Sequence, residues 1–481
     1  MEQNKPVTVA SRAAKSFIVL GLRQVFVQGL NVIGTIFLAR LLTPEQFGVY
    51  AILVFLQTFL VAFGGTGLAA NLIRQHDEPE DADLRTVFSF QQIVVLILAA
   101  GLWFCSPVLV HLYGRPETDV WVFRLVAVAF VLTASMVIPQ VLLERELSFH
   151  KLAATEISQA IVFNVIAVAF AARGYGTLSL GIALLGRATV GALIVNLVKR
   201  WRPGWHWNWT ILRVHLQFGL FYQGAQFIAL VKDSISPLLI GLLLGVADVG
   251  YINWAGMVAA YPVLVLMAMQ RVYLPFFSRY QSEPRQMVHY LQIIVWVTNA
   301  ICAPLAIMTA IYIVPLAHFV FGEKWLPAIP IFYLLSFANL LVPSVTPIIG
   351  LLNAVGRART TFKLSLLWMI ATWLLSLPMI LTFGPIGFAI GNVGVQLTNL
   401  LVFRIARKDF GIRIFSSVSR IWILAIAVGG AVYVGERIVH VDSLTKLVLA
   451  GLASFGLYAL VFSTVFQRRL RLGIALLREA T

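Results

Sequence analysis

Charge is what this chain has least of. Only 12% of its 481 residues are Asp, Glu, Lys or Arg, about half the ~25% of an ordinary water-soluble domain. Acid is scarcer still, with 20 Asp and Glu against 36 Lys and Arg. Cysteine is nearly absent. Cys105 and Cys302 both sit in apolar stretches and support neither a disulfide framework nor a thiolate metal site. No Gly-Lys dipeptide occurs, so the chain has no GxxxxGK[ST] phosphate loop and cannot drive transport with ATP by itself. The eight histidines fall mostly in loops or at the ends of apolar runs, never in an HExxH spacing, which removes that class of zinc chemistry. No cofactor is expected.

What the chain has instead is hydrocarbon. Hydrophobic residues make up 60% of it and its mean hydropathy is +0.88, so the solvent to reason with is lipid. About 20 helical residues cross a ~30 Å hydrocarbon core. On that measure fourteen spans are predicted, starting near Phe17, Gly48, Val87, Trp121, Thr155, Thr177, Val214, Gly250, Val288, Leu326, Lys363, Pro385, Ile421 and Lys446. The first, Phe17 to Ala39, is too long for a signal-peptide core and has no small-residue cleavage site after it, so it is expected to remain as a span. The connecting loops are short. With the N-terminus cytoplasmic, 26 Lys and Arg fall on the cytoplasmic side and 6 on the other. That asymmetry orients the protein, places both termini in the cytoplasm, and accounts for the net charge of +16 without a nucleic-acid partner. The expected fold class is an all-α polytopic membrane protein.

A weak internal repeat runs at an offset of 202 residues: Leu38 to Gly48 matches Ile240 to Gly250, with Leu-Leu, an acidic or amide residue and a Gly in register. Gly174-Tyr175-Gly176 and Gly384-Pro385-Ile386-Gly387 make similar turns before a helix. The expected organisation is an N-lobe of six helices (1–198), a cytoplasmic interfacial connector (199–213), a C-lobe of six (214–404), and two extra helices with a cytoplasmic tail (405–481). Trp201, Trp205, Trp207 and Trp209 among basic residues mark the connector as an anchor at headgroup depth. Parallel repeats about an axis along the membrane normal carry a substrate path at their interface.

Polar groups inside spans are costly, at least ~2.5–3.5 kcal/mol for a charge at mid-bilayer, and so mark candidate sites. Span one carries Gln24, Gln28, Asn31 and Thr35 on one face, with Arg23 at the cytoplasmic edge. Span seven carries Gln226, Lys232 and Asp233. The offset of 202 superposes Gln24 on Gln226 and Asn31 on Asp233, so the two stripes are expected to face a common wet cavity. Interhelical hydrogen bonding is the plainer role for the amides. Asp233, near the middle of its span, either exchanges an ion or proton with a gradient or locks two helices; its neighbour Lys232 is rotated ~100° around the helix and need not pair with it. Arg23 and Arg187 have no carboxylate three or four residues away, so their partners must come from another helix, water or a ligand. Their fixed donor geometry suits phosphate. Arg124 lies near a span end, where snorkelling is expected. The acidic run Asp77 to Asp83 reads as a solvated loop.

The segments around the helix ends bear a family likeness. Leu38 to Tyr50 after the first span, Leu143 to Phe149 after the fourth, Leu274 to Gln281 after the eighth, and later Phe321 to Pro327 and Asn353 to Arg357 resemble the polysaccharide-transporter (Wzx-type) family of lipid-linked oligosaccharide flippases. The likeness keeps its order over nearly the whole chain. It implies the multidrug/oligosaccharidyl-lipid/polysaccharide exporter fold, two six-helix lobes and two further helices. It also implies transfer of an undecaprenyl-diphosphate-linked oligosaccharide from the cytoplasmic to the periplasmic leaflet of a bacterial inner membrane. The matching motifs leave out the polar stripes, so site roles rest on the stripes alone. These are Arg23, Arg187 and Lys232 for the diphosphate, Gln24, Gln28, Asn31 and Gln226 for sugar hydroxyls, and Asp233 for proton or sodium coupling. Membrane lipids and other polysaccharide-assembly proteins are the expected partners. Two alternatives stand beside this reading: a cation-coupled multidrug exporter of the same fold, which a net-positive cavity disfavours, and a membrane-embedded polysaccharide-assembling enzyme, which would need carboxylates or a sizeable loop beside the bilayer.

Overall fold

The computed structural model describes residues 6–467 apart from 66, 75–77, 282 and 440. The described residues are helical with no strand, as the bilayer demands: with no water to satisfy them, backbone groups must bond within their own segment. Twelve helices among the described residues are long and apolar enough to cross a membrane, so this is a multi-pass membrane protein. The expected spans seven and eight are helical but broken, and are not among the twelve. Residues 209–243 run as an α-helix to Asp233, a π-helical stretch Ile235–Ile240 and a last α-turn; residues 246–279 are interrupted by a 3-10 turn at Tyr261–Val263.

Packing divides the chain into two compact units, Met1–Gly250 and Tyr251–Thr481. The first holds α1 (Pro6–Leu41), α2 (Pro44–Gly65), the half-helix α3 (Leu68–Arg74), α4 (Asp81–Leu112), α5 (Val120–Ser135), α6 (Val137–Arg145), α7 (Phe149–Ala172), α8 (Thr177–Val198), α9 (Trp209–Asp233), α10 (Gly241–Leu243) and the start of α11 (Val246–Ala260). The divide thus falls beyond the connector 199–213. The reason is that α9 packs on α3 and α4: Leu212 enters the Leu68, Leu72, Leu84, Val87, Phe88, Ile138 and Val141 cluster, and the Asn71 amide donates to Nδ1 of buried His215 over 2.8 Å.

At the end of this unit that holds the 43, 115 and 176 turns, Thr43 and Gln46 form a reciprocal cap on α2. Gln46 Oε1 accepts from the Thr43 backbone N–H, and Thr43 Oγ1 from that of Gln46. Arg115 bridges Glu45 and Asp119 at 2.9 Å each, and Asp119 accepts from Thr177 on α8. Buried Tyr113 donates to the Pro237 carbonyl in the π-helical stretch, where the π geometry disturbs the regular ladder.

The repeat is visible here as geometry. α1 ends at Leu41 and α10 at Leu243, α2 begins at Pro44 and α11 at Val246, each pair 202 residues apart. The two turns also touch reciprocally. A methyl on Gly48 would sit 1.9 Å from the Val246 carbonyl oxygen, and one on Gly250 would sit 1.9 Å from that of Pro44. Each contact maps onto the other under the same offset, as a local two-fold requires. The helix N-caps Gly176 (φ 53°, ψ −127°) and Gly384 (φ 62°, ψ −141°) share a conformation that favours glycine.

The second unit holds the remainder of α11, α12 (Leu264–Arg279), α13 (Pro284–Leu316), α14 (Ile329–Ala338), α15 (Val342–Ala354), α16 (Ala358–Phe383), α17 (Pro385–Leu397), α18 (Leu400–Phe410), α19 (Ile414–Val439) and α20 (Leu444–Val465). Asn299 on α13 is its polar hub. Its amide donates to the Val295 carbonyl and to Ser344 on α15, and its oxygen accepts from the Trp422 indole on α19. The extra helix pair docks on α13 through this bond, through Tyr312 against Ser454 at 2.8 Å, and through the cluster of Trp296, Ala425, Val428 and Tyr458.

Candidate functional site

All eight sequence-predicted site residues belong to the first unit. On α1 the stripe lies at the edge of the face packed on α7, a parallel neighbour. Two rungs join them. Arg23, 6% exposed in its side chain, pairs with Glu156 at 2.7 Å, and Asn31 Oδ1 accepts from Asn164 Nδ2 at 3.1 Å. Arg23 to Asn31 and Glu156 to Asn164 are both steps of eight, so two turns of each helix stay in register. Gly34 lets the helices close, since a Cβ there would overlap the Asn164 amide oxygen at 1.5 Å. Gln24 and Gln28 are partly exposed on the same stripe. Arg23 keeps one unspent donor, its buried Nε.

Glu156 and Asn164 lie more than 130 residues from Arg23 and Asn31 in the chain, so spacing along one helix does not reveal them as partners. The signal available was the matching eight-residue spacing of polar groups on two spans.

Lys232 and Asp233 differ from expectation. They pair directly, Nζ to Oδ1 at 2.7 Å, with side chains 39% and 62% exposed. The physical reason is that the four-carbon lysine stem reaches around the ~100° between neighbours. Asp233 is the last residue of the regular α-helix, just before the π-helical stretch Ile235–Ile240. The Gln226 side chain lies outside the described residues.

Arg187 on α8 is exposed and has no ion pair or hydrogen bond among the described residues. With Arg23 and Lys232 each matched by a carboxylate, the surplus positive charge among the predicted cations reduces to Arg187. The Arg124 guanidinium lies 5.1 Å from the ring centres of both Trp103 and Trp121.

Residues 37–330 match the family described as "Polysaccharide biosynthesis protein". The chain belongs to that family. Among its relatives, the succinoglycan biosynthesis transport protein ExoT of Rhizobium meliloti is 27% identical over 346 residues, 72% of this chain and 69% of the other. The lipopolysaccharide biosynthesis protein WzxC of Escherichia coli is 24% identical over 381 residues, 79% and 76% of the two chains. In fold the chain is similar to the lipid II flippase MurJ in an inward closed conformation, with a TM-score of 0.72 at 13% identity over 96% of this chain and 100% of that one. An inward-facing multidrug transporter of the MATE family follows at 0.61 and 16% identity, covering 81% and 94%. The fold expected of a polysaccharide-family member, that of the multidrug and lipid-linked oligosaccharide exporters, is the fold observed.

Proposed function

We propose that this family member is a flippase for a lipid-diphosphate-linked oligosaccharide, moving it from the cytoplasmic to the periplasmic leaflet of a bacterial inner membrane during polysaccharide synthesis, and that it performs no covalent chemistry. The observation that carries the proposal is Arg187: a permanent cation in a membrane span, exposed and without a protein counter-ion among the described residues, in a chain of this family and fold. Such a charge is costly unless water and an anion meet it, and guanidinium suits phosphate.

In this reading Arg187 makes first contact with the diphosphate, and Arg23, held by Glu156 with its Nε uncommitted, is the second cation offered to it. Lys232 joins when Asp233 releases it: protonating Asp233, or exchanging a cation onto it, frees the ammonium for phosphate and so couples cargo to a gradient. Gln24, Gln28, Asn31 and Gln226 serve sugar hydroxyls. The functional halves follow the repeat, 1–198 and 214–404, and both termini face the cytoplasm.

Leaflet transfer of a fluorescent undecaprenyl-diphosphate oligosaccharide in proteoliposomes tests this. Arg187→Ala is expected to lower the transfer rate at least tenfold, as removal of a charge-assisted contact of about 1.5–3 kcal/mol implies, with folded yield unchanged. Equal loss of both would make Arg187 a packing residue, and a covalently altered product would make the protein an enzyme.

A further inference from the structure

The cation that this reading leaves unused is Arg124. It lies in the segment Glu117–Arg145, which is apolar enough to span a membrane, yet among the described residues it has neither a carboxylate nor a hydrogen bond, and its Nε is buried without a partner. Two tryptophans hold it, Trp103 from α4 and Trp121 from α5, at 5.1 Å each and perpendicular to one another at 6.4 Å. Cation–π contact compensates part of the charge but supplies no hydrogen-bond acceptor for the guanidinium.

The surroundings indicate what does. From the clamp toward the start of α4, Ile93, Leu96 and Ile97 are exposed, and Phe104 beside Trp103 is 77% exposed. In a spanning helix such a face is covered by acyl chains. α4 has 32 residues, about 48 Å of helix across a ~30 Å core, so each end overhangs by about 9 Å. Trp103 is nine residues from the end of α4, and Arg124 four from the start of α5. The clamp therefore lies where acyl chains give way to headgroups, the depth that tryptophan prefers.

We propose that Arg124, Trp103 and Trp121 form a lateral seat for one membrane phospholipid, distinct from the transport site. The lipid's phosphate takes the guanidinium, and its chains lie along the exposed face of α4. Apolar cover and a phosphate acceptor are the two things this place lacks, and a phospholipid supplies both from one molecule.

The test is native mass spectrometry of the full chain in detergent titrated with phosphatidylglycerol. Arg124→Gln is expected to weaken the first binding step about tenfold, and Trp121→Leu, a change at an exposed position, about threefold, both with unchanged thermal midpoints in lipid-free detergent. Equal affinity in wild type and Arg124→Gln overturns the seat. Displacement of phosphatidylglycerol by equimolar undecaprenyl diphosphate in wild type but not in Arg124→Gln overturns the occupant, assigning the seat to the cargo's route. Whether transport itself survives is read separately, since loss of the seat leaves Arg187 in place.

Discussion

Leu147 holds a backbone angle that leucine avoids. After α6 the chain closes a turn in which the Ser148 N–H reaches the Leu143 carbonyl at 2.9 Å, with Leu147 at φ 54°. The corresponding turn after α15 has the Arg357 N–H on the Leu352 carbonyl at 2.8 Å and a glycine, Gly356, at φ 78°. Left-handed backbone costs a side-chain-bearing residue about 1–2 kcal/mol, and Leu147 is 55% exposed, so little packing offsets it. Leu147→Gly is expected to stabilise the protein by about 0.5–1 kcal/mol after the added unfolded-state entropy is deducted, seen as a higher thermal midpoint. Tyr113 allows a pH experiment. Burial pushes its hydroxyl up to about 12 from an ordinary 10.0. A raised acid contributes stability in full below the unfolded value and loses it as pH climbs toward the folded one. Tyr113→Phe should therefore cost about 1 kcal/mol at neutral pH, the worth of its bond to Pro237. The rise from 10.0 to about 12 is worth about 2.7 kcal/mol, so the gap between wild type and variant should stay level to about pH 10, close by about pH 11 and reverse by about pH 12 in a denaturation series.

Between elements, the reciprocal meeting of the α2 and α11 turns makes a sharper demand than any single bond. Either Gly48→Ala or Gly250→Ala places a methyl inside a carbonyl contact, and overpacking of this kind costs about 1–3 kcal/mol. Because the two contacts are the same interface seen from both sides, the first methyl that drives the turns apart makes room for the second. The double variant should therefore lose clearly less than the sum of the singles, a coupling that a double-mutant cycle on thermal midpoints measures. Strict additivity would mean that the turns yield independently. The glycines themselves were legible in the repeat; that they face each other was not, since a pattern along one chain carries no information about which turns meet.

For the molecule as a whole, transport must draw on a gradient or run downhill, and the Lys232–Asp233 pair is where the difference would be set. In the proposed coupling, Asp233→Asn removes the carboxylate that holds Lys232 and leaves the lysine permanently available. Initial flipping should then lose its response to an imposed proton or sodium gradient, measured in the same proteoliposomes with and without ionophore. An unchanged response would make the pair a helix-end lock.

Spans, charge asymmetry and the repeat were determined by the sequence alone, because each follows from transfer free energy or periodicity, which are properties of consecutive residues. Tertiary structure decided which polar groups remain available. Arg23 and Arg187 look alike in sequence, both cations in apolar runs with no near carboxylate, yet packing brings Glu156 of α7 onto one and leaves the other exposed. Lys232 and Asp233, which adjacency alone did not oblige to pair, do pair where the α-helix gives way to a π-helical stretch. The reason is common to all of them: a charge in lipid is settled by its partner, and partners are contributed by helices far apart in the chain.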